Sequence, residues 1–146
     1  MQTSAGLILT DGEKLLICHP SRSPYWDLPK GGIKEYETPL QACIRETWEE
    51  TDFDISNKTP IDLGTFKYTK RKRLHLFMIK TDKLPSISFY KCNSFVELND
   101  NKLPEMDKYM YITFAELENF LTPAMQEVLK SIFKNSINVI NKGDSK

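Results

Sequence analysis

The sequence is poor in cysteine, carries no net charge and has no long apolar run. Its three cysteines are far apart and form no Cys-x-x-Cys pair, which excludes a disulfide framework and a cysteine-rich zinc site. Twenty basic residues balance twenty acidic ones, so overall charge indicates neither nucleic acid nor a membrane surface as a partner. No apolar stretch approaches the roughly 20 residues of a transmembrane helix, and the first residues lack the features of a signal peptide. These absences predict a cytoplasmic protein without membrane contact.

What the sequence does contain is the material for one ordinary folded domain. Its 146 residues are 40% apolar and 11% aromatic, which is enough for a buried core and excludes a disordered or fibrous chain. There is neither an internal repeat nor a change of composition that would indicate a linker. The prediction is a single domain over residues 1–146, with a polar tail over 138–146 that is expected to fray.

Hydrophobic patterning predicts a mixture of strands and helices. The dipeptide Asp11-Gly12 between apolar residues 7–9 and 15–17 predicts a β-hairpin. A loop rich in proline and glycine follows over 19–36, with a short strand near 26–28. Helices are predicted over 38–51, which begins with a Thr38, Pro39 and Gln41 start signal, and from Thr122 onwards; further strands are predicted over 63–68, 74–79, 86–90 and 109–114. This order is typical of the α+β class.

Three glutamates share one side of the first predicted helix. At about 100° per residue, Glu46, Glu49 and Glu50 fall within one arc. Carboxylates so placed repel one another, whereas Mg²⁺ or Mn²⁺ is bound by such oxygen ligands. Arg45 precedes Glu49 by four residues and is expected to pair with it. The alternative is an ordinary solvated face, with the opposite side packed on the core through Leu40, Ile44, Thr47 and Trp48.

The residues around this helix resemble the box that defines the Nudix hydrolases. That box has the form G-x5-E-x7-R-E-U-x-E-E-x-G-U, where U is a bulky aliphatic residue. Six positions match in identity and spacing: Gly31, Glu37, Arg45, Glu46, Glu49 and Glu50. Two positions depart from it, because Asp52 replaces the final glycine and Thr47 replaces the aliphatic residue. Asp tolerates the left-handed conformation that the glycine normally adopts, so the fold should survive.

The resemblance implies an α/β/α sandwich with a central mixed sheet and a metal-dependent pyrophosphohydrolase. In such enzymes water attacks a nucleoside diphosphate linked to another group, and Mg²⁺ or Mn²⁺ is the cofactor. By position, Glu46, Glu49 and Glu50 are then metal ligands, one of them acting as the base, and a carbonyl of Gly31 or Gly32 is a further ligand. Glu37 would anchor the loop to the helix, and Arg45 would orient a glutamate.

A further acidic residue is expected from the segment before the last predicted strand. Residues 104–112 resemble the acidic loop that in many Nudix enzymes completes the metal site or supplies the base. Glu105 is preferred for that role over Glu97 and Asp107. The two histidines, His19 and His75, have no partner pattern and are interpreted as structural or surface residues.

Substrate contacts are predicted from local charge and from aromatic residues. Residues 63–81 contain no acidic side chain but six basic ones, among them Lys70, Arg71 and Arg73. They indicate either a loop that meets phosphate groups or RNA, or an ordinary solvated hairpin turn. Lys30 is the better candidate for direct phosphate contact. Aromatic side chains that could stack on a base, or belong to the core, are Tyr25, Trp26 and Phe66.

The leading hypothesis is a hydrolase of nucleotide polyphosphates, either nucleoside triphosphates or dinucleoside polyphosphates. The alternative is a pyrophosphohydrolase or decapping enzyme that acts on RNA 5′ ends. A noncatalytic nucleotide-sensing domain is disfavoured because such domains usually lose glutamates of the box. A diphosphoinositol substrate would also use the basic residues, and the chain is expected to be a monomer or a homodimer.

Overall fold

The computed structural model describes the backbone of residues 1–144 and the side chains of residues 1–134. In this part of the chain the strands are β1 (Gln2–Thr10), β2 (Lys14–Pro20), β3 (Lys30–Gly32), β4 (Ile61–Thr69), β5 (Lys72–Lys80), β6 (Phe95–Leu98), β7 (Asn101–Pro104) and β8 (Met106–Thr113). The helices are α1 (Pro39–Thr51), α2 (Leu117–Phe120) and α3 (Pro123–Asp144). Among the described residues, no helix combines the length and the apolar character needed to cross a bilayer.

Six strands form one mixed sheet around β1. The strand order is β4-β5-β1-β2-β8, and β3 also pairs with β1. β1 is parallel to β5 and antiparallel to β2 and β3. The predicted hairpin between β1 and β2 is confirmed, since Thr10 pairs with Leu15 and Gly12 adopts a positive φ of 99° at the turn. A mixed sheet with β1 at its centre is the frame on which the two long helices pack.

The sheet is covered by α1 on one face and by α3 on the other. Alternate residues of the first two strands enter different clusters, because successive side chains of a strand point to opposite faces. Ile8, Leu15 and Ile17 pack with Met125 and Leu129 of α3. The other cluster joins Ala42 and Cys43 of α1 to Ala5, Leu7, Leu9, Leu16 and Cys18 of the sheet. The predicted α/β/α sandwich is therefore confirmed.

Both ends of α1 are formed by local hydrogen bonds. At its start, the Gln41 N–H donates to Thr38 Oγ1 and the Thr38 N–H donates to Gln41 Oε1, so the predicted capping box is present. At its end, Asp52 adopts a left-handed conformation with φ of 66°, and its N–H donates to the Trp48 carbonyl at 2.9 Å. Asp52 thus takes the conformation that the glycine of the box would take, as the sequence predicts.

The predicted core side of α1 is correct for Ile44 and Thr47 but wrong for Leu40 and Trp48. Leu40 and Trp48 are 37% and 46% exposed, whereas Glu46 and Glu50 are only 9% and 2% exposed. The helix is rotated about its axis relative to the prediction, with its small residues against the sheet. Ala42, Cys43 and Thr47 are buried there and allow a close approach. Because these small side chains contribute little to an apolar pattern, the larger Leu40 and Trp48 dominate the prediction.

Other differences lie in the connections. The strand predicted over 86–90 is wrong, because Ile87–Phe89 form a 3₁₀ turn in which the Phe89 N–H donates to the Ser86 carbonyl. The hairpin of β6 and β7 is not predicted; its turn consists of Asn99 and Asp100, both with positive φ. Instead of a strand at 26–28 there are isolated bridges, and the strand of this region is β3. The helix α3 continues to Asp144, further than the sequence indicates, and residues 145–146 lie outside the described part.

Candidate active site

Three carboxylates meet where α1 faces the loop between β7 and β8. Carboxylate oxygens of Glu46, Glu50 and Glu105 lie within 4.8 Å of one another. The helix supplies the first two from consecutive turns, and the loop supplies Glu105. The backbone of Glu105 is held on both sides, because its N–H donates to the Ser94 carbonyl at 2.9 Å and its carbonyl accepts from the Ser21 N–H at 3.0 Å. The structure thus places Glu105, rather than Glu97 or Asp107, beside the helix.

Glu50 is the most deeply buried of these carboxylates. It is 2% exposed, and its Oε1 accepts a hydrogen bond of 3.2 Å from the Lys30 N–H of β3. Burial raises the pKa of Glu50 well above its ordinary value, and the neighbouring Glu105 raises it further. Burial likewise raises the pKa of Glu46, against the opposing effect of Arg45. The cluster is therefore a place where negative charge is costly unless a cation compensates for it.

Gly31 leaves the space that the Glu46 carboxylate occupies. A Cβ atom built on Gly31 would lie 2.1 Å from Cδ of Glu46, far inside van der Waals contact. β3 cannot retreat from this contact freely, because Gly31 pairs with Ala5 of the central strand β1. Only glycine fits here because the carboxylate rests directly on the backbone. Gly31 and Glu46, 15 positions apart in the sequence, therefore form one packed unit.

Arg45 joins the loop before α1 to the glutamates of the helix. Its Nε and Nη2 donate to the two carboxylate oxygens of Glu37 at 2.7 and 2.9 Å. Nη2 also donates to the Gly32 carbonyl at 3.0 Å, and Nη1 donates to Glu46 at 2.6 Å and to Glu49 at 3.3 Å. The predicted Arg45–Glu49 pair is present. Hydrogen bonds from Arg45 lower the pKa of Glu37 to about 2, so that this carboxylate stays ionised.

Glu49 lies at the edge of the carboxylate cluster. Its side chain is 31% exposed and accepts from the same Arg45 nitrogen as Glu46. It is not among the three side chains whose oxygens lie within 4.8 Å of one another. The Gly32 carbonyl is likewise engaged by Arg45. The sequence predicts both groups as metal ligands, and the structure places both next to the cluster rather than in it.

The chemistry of the cluster fits a hard divalent cation. It offers carboxylate oxygens, the ligands that Mg²⁺ and Mn²⁺ prefer. Two of its members are buried with raised pKa values, which shows that the protein environment does not by itself compensate their negative charge. The only guanidinium hydrogen-bonded to it within the described residues is that of Arg45, through Glu46. Glu46, Glu50 and Glu105 are the side chains that could hold such an ion.

Lys30 lies between the carboxylate cluster and the opposite face of the sheet. Its Nζ pairs with Asp27 at 3.1 Å and lies 5.6 Å from the ring centre of Tyr68. Burial opposes its charge, but Asp27 and the other negative groups nearby outweigh that effect and raise the pKa of Lys30. The ammonium group thus stays charged. A phosphate that contacts it, as the sequence predicts, would share it with Asp27.

The other predicted substrate residues lie in three separate places. Phe66 and Lys70 line a groove of about 590 Å³ between β4 and α3, together with Tyr68. Arg71 and Arg73 are exposed at the turn and start of β5, where Lys72 pairs with Gln2 of β1. Trp26 is partly buried against Phe120 and His19, whereas Tyr25 is 46% exposed; neither lies in the carboxylate cluster.

Several polar contacts are not predicted from the sequence. His19 Nδ1 lies 2.6 Å from Asp107 Oδ1, and His75 Nε2 lies 2.7 Å from Asp62 Oδ1. Both histidines thus pair with aspartates that the sequence pattern does not indicate, and both pairs are compatible with the predicted structural or surface role. Tyr109 donates its hydroxyl proton to the Glu50 carbonyl at 2.6 Å. No motif signals these pairs, because the two histidine pairs join neighbouring strands and the Tyr109–Glu50 pair joins β8 to α1.

A sequence profile of the NUDIX domain matches residues 1–133 of the chain. The chain belongs to the Nudix family. The match covers the whole sheet, all of α1 and the first half of α3, so it extends well beyond the box itself. Family membership agrees with the geometry just described, in which the box residues form one connected group on α1, β3 and the loop between them.

Individual relatives match the chain over shorter segments or at lower identity. The RNA pyrophosphohydrolase of Cereibacter sphaeroides is 43% identical over 49 residues, which are 32% of this chain and 30% of that protein. The match thus spans under a third of that relative's length. Among solved structures, the E. coli dihydroneopterin triphosphate pyrophosphohydrolase has a TM-score of 0.68 at 16% identity, covering 91% of this chain and 95% of that one. A C. elegans Ap4A hydrolase has a TM-score of 0.66 at 21% identity, covering 92% and 98%. These two structures establish the shared fold.

Proposed function

We propose that the protein is a metal-dependent pyrophosphohydrolase that cleaves a nucleoside diphosphate linked to another group. The observation that carries the proposal is the convergence of Glu46, Glu50 and Glu105 beside Gly31. A Nudix box without such a cluster would be compatible with a binding domain. Here two box glutamates and a carboxylate remote in sequence meet in a partly buried place, which costs stability unless a bound cation compensates for their negative charge.

The side chains divide the work of such a reaction. Glu46, Glu50 and Glu105 would hold Mg²⁺ or Mn²⁺, which when bound lowers the pKa of water and stabilises charge on the phosphates. Arg45 keeps Glu46 and Glu49 in place through Nη1, and Glu37 fixes Arg45 from the other side. Glu49, whose side chain is 31% exposed, would accept a proton from the attacking water. Lys30, charged and beside the cluster, offers a cation to the phosphate chain.

Nucleotide polyphosphates are the substrate class that the site favours. Lys30 links the two sides of the sheet, because its N–H donates to Glu50 while its ammonium group lies 5.6 Å from the ring centre of Tyr68, a residue of the groove beside α3. The names of the structural relatives, a dihydroneopterin triphosphate pyrophosphohydrolase and an Ap4A hydrolase, both describe substrates with a chain of phosphates, and Ap4A is a dinucleoside polyphosphate. Free thiols at Cys18, Cys43 and Cys92 support a reducing, cytoplasmic location, where such nucleotides occur.

A substrate panel in ¹⁸O-labelled water tests the proposal. Nucleoside triphosphates, dinucleoside polyphosphates, a diphosphoinositol and triphosphorylated RNA would each be incubated with Mg²⁺ and with Mn²⁺. We expect hydrolysis of at least one nucleotide that requires the metal, and the position of the label identifies the phosphorus attacked. The matched control is Glu13→Gln, an exposed glutamate of the β1–β2 turn, which should behave like the wild type. Absence of metal-dependent hydrolysis across the panel would contradict the proposal.

RNA 5′ ends are the second candidate substrate, favoured by the basic turn. Lys70, Arg71 and Arg73 are exposed, and within residues 1–134 none of them forms an ion pair. The RNA pyrophosphohydrolase match adds support. If these residues bind an RNA chain, their replacement by neutral residues should flatten the salt dependence of kcat/KM on triphosphorylated RNA. The kcat/KM on small nucleotides should fall much less than that on RNA. Equal losses on the two substrates would instead indicate that these residues act near the phosphates that both substrates contain.

A further inference from the structure

The C-terminal end of α1 is held by residues remote in sequence. An α-helix leaves its last four carbonyls without partners inside the helix. In α1 the Glu49 carbonyl accepts from the Asn93 N–H at 2.6 Å, and the Glu50 carbonyl accepts from the Tyr109 hydroxyl. The Thr51 carbonyl accepts from the Lys91 N–H at 3.3 Å. Every one of these donors follows the helix by at least 40 residues in the printed sequence, so the cap is tertiary.

Asn93 makes the most extensive contact with this helix end. Besides its backbone bond to Glu49, its side-chain Nδ2 donates to the Trp48 carbonyl at 3.0 Å and to Asp52 Oδ1 at 2.8 Å. Asp52 is the residue that stands where the Nudix box ends in glycine. A glycine there would adopt the same left-handed backbone but would offer Asn93 no side-chain acceptor. The departure from the box thus has a partner in the structure.

The segment that contains Asn93 also holds the loop of Glu105. The Ser94 carbonyl accepts from the Glu105 N–H at 2.9 Å, and Cys92 Sγ accepts from the Met106 N–H at 3.4 Å. Residues 92–94 therefore bond to the helix that carries Glu46 and Glu50 on one side. On the other side they bond to the loop that carries Glu105. These three residues therefore connect α1 directly to the loop that carries Glu105.

We propose that Asn93 is a positioning residue that sets the separation between the helix carboxylates and Glu105, with Asp52 as its side-chain partner. The inference rests on the proposed function, since it concerns the geometry of the same metal cluster. A shift of about 1 Å between reacting groups costs up to a hundredfold in rate. A link of two residues, Asn93 and Ser94, between the helix end and Glu105 is short enough to control shifts of that size.

The first test is Asn93→Ala, which removes both side-chain hydrogen bonds. We expect kcat to fall about tenfold while KM changes by less than about twofold. Mn²⁺ binding without substrate, measured by electron paramagnetic resonance, should weaken by about tenfold as well. Asn57→Ala, an exposed asparagine outside these contacts, is the control and should match the wild type in both measurements. Wild-type Mn²⁺ affinity and kcat in folded Asn93→Ala would overturn the inference.

Combination with Glu105→Gln tests whether Asn93 acts through Glu105. If it does, Asn93→Ala should cause little further loss of kcat or Mn²⁺ affinity once Glu105 has lost its charge. Losses that multiply independently would show that Asn93 acts elsewhere and would overturn the inference. The test compares the effect of Asn93→Ala in the wild type with its effect in Glu105→Gln. A general loss of stability would lower kcat by the same factor in both, so it would not look like coupling between the two residues.

Asp52→Gly provides a variant that keeps the fold should Asn93→Ala not fold. Glycine suits the left-handed position, so the melting temperature should stay the same or rise, while Mn²⁺ affinity falls by a few fold. Unchanged affinity would contradict the role of Asp52. Failure of the proposed function has a different signature, because the wild type would then neither bind Mn²⁺ at the cluster nor hydrolyse any substrate. A wild type that does both, with variants that do the same, refutes only the positioning role.

Discussion

The two faces of the sheet are built from different kinds of residue. The face under α3 is apolar throughout, with Ile8, Leu15 and Leu129 fully or almost fully removed from water. On the other face, α1 contributes Glu46, Thr47, Glu50 and Thr51, which with Thr10 are all the buried polar residues among those whose side chains are described. Both faces therefore stabilise the fold by hydrophobic burial, but the α1 face also holds charges in positions that burial opposes.

The contrast shows how a small domain accommodates a costly site. Buried carboxylates destabilise the chain unless a cation binds to them. The apolar layer beneath α3 offsets this cost without touching the site, because the sheet separates the two clusters. Stability and the proposed chemistry should consequently respond to different substitutions, and the following predictions test that separation.

Glu50→Gln should have the largest effect on the α1 face. The substitution keeps the shape of the side chain but removes its charge, so kcat should fall by about a hundredfold or more in the presence of Mg²⁺. In EDTA the variant should be at least as stable as the wild type at pH 8, measured by urea unfolding. Glu13→Gln serves as the matched control, and wild-type kcat in Glu50→Gln would remove this carboxylate from the site.

Leu129→Ala should produce the converse result on the α3 face. Leu129 is fully buried against the sheet, and the substitution should cost about 2–5 kcal/mol of unfolding free energy through lost burial and a cavity. The kcat of the folded fraction, measured at a temperature well below the unfolding transition, should remain close to that of the wild type. A large fall in kcat there would show that the two faces are coupled.

Gly31→Ala tests the contact that joins β3 to the carboxylate cluster. The added methyl group would enter the space of the Glu46 carboxylate and displace it, so kcat should fall by roughly tenfold to a hundredfold. Gly32→Ala is the matched neighbour, since its nearest contact is the flexible Gln2 side chain at 3.2 Å. If both variants lose activity equally, the effect belongs to the strand and not to Glu46.

The pH dependence of stability in EDTA should differ between two glutamates near α1. The pKa of Glu50 is raised, so its contribution to stability is fully present below its ordinary value of 4.5 and is lost as pH rises through the raised pKa. The pKa of Glu37 is lowered to about 2, so its contribution is present above 4.5 and is lost as pH falls towards 2.

Urea unfolding from pH 3 to pH 9 measures both contributions. Glu50→Gln should flatten the decline above pH 4.5, whereas Glu37→Gln should flatten the decline below it. Saturating Mg²⁺ should also remove the decline on the alkaline side, because the bound cation favours the ionised carboxylate. A wild-type profile in Glu50→Gln would show that another group causes that decline.

Thr47→Val is expected to have the smallest effect. Thr47 is buried, and its hydroxyl oxygen has no hydrogen-bond partner within the described part of the chain. Valine has nearly the same shape and suits the aliphatic position of the box, so stability should rise by about 0.5–1.5 kcal/mol. Thermal unfolding measures the change, and kcat should remain unchanged. A loss of stability would indicate a hydrogen bond to the hydroxyl that forms in solution.

The candidate site shows where sequence reasoning succeeds and where it stops. The spacing of Gly31, Glu37 and Arg45 identifies the box, and the capping box and Asp52 define both ends of α1. The side of that helix that faces the sheet is predicted only in part, because apolar size favours Trp48 while the actual contact uses Ala42 and Cys43. The pattern of apolar side chains indicates how much apolar surface a helix can bury. It does not indicate how closely the helix backbone approaches the sheet.

Local signals of the sequence determined the hairpin at Gly12 and the limits of α1. These depend on backbone conformation and on short-range hydrogen bonds, which neighbouring residues specify. Only the tertiary structure brought Glu105 to Glu50, paired Asn93 with Asp52 and placed Tyr109 under the Glu50 carbonyl. Those contacts depend on strand register and on the orientation of α1 against the sheet, because both are set by the packing of the whole domain rather than by any segment alone.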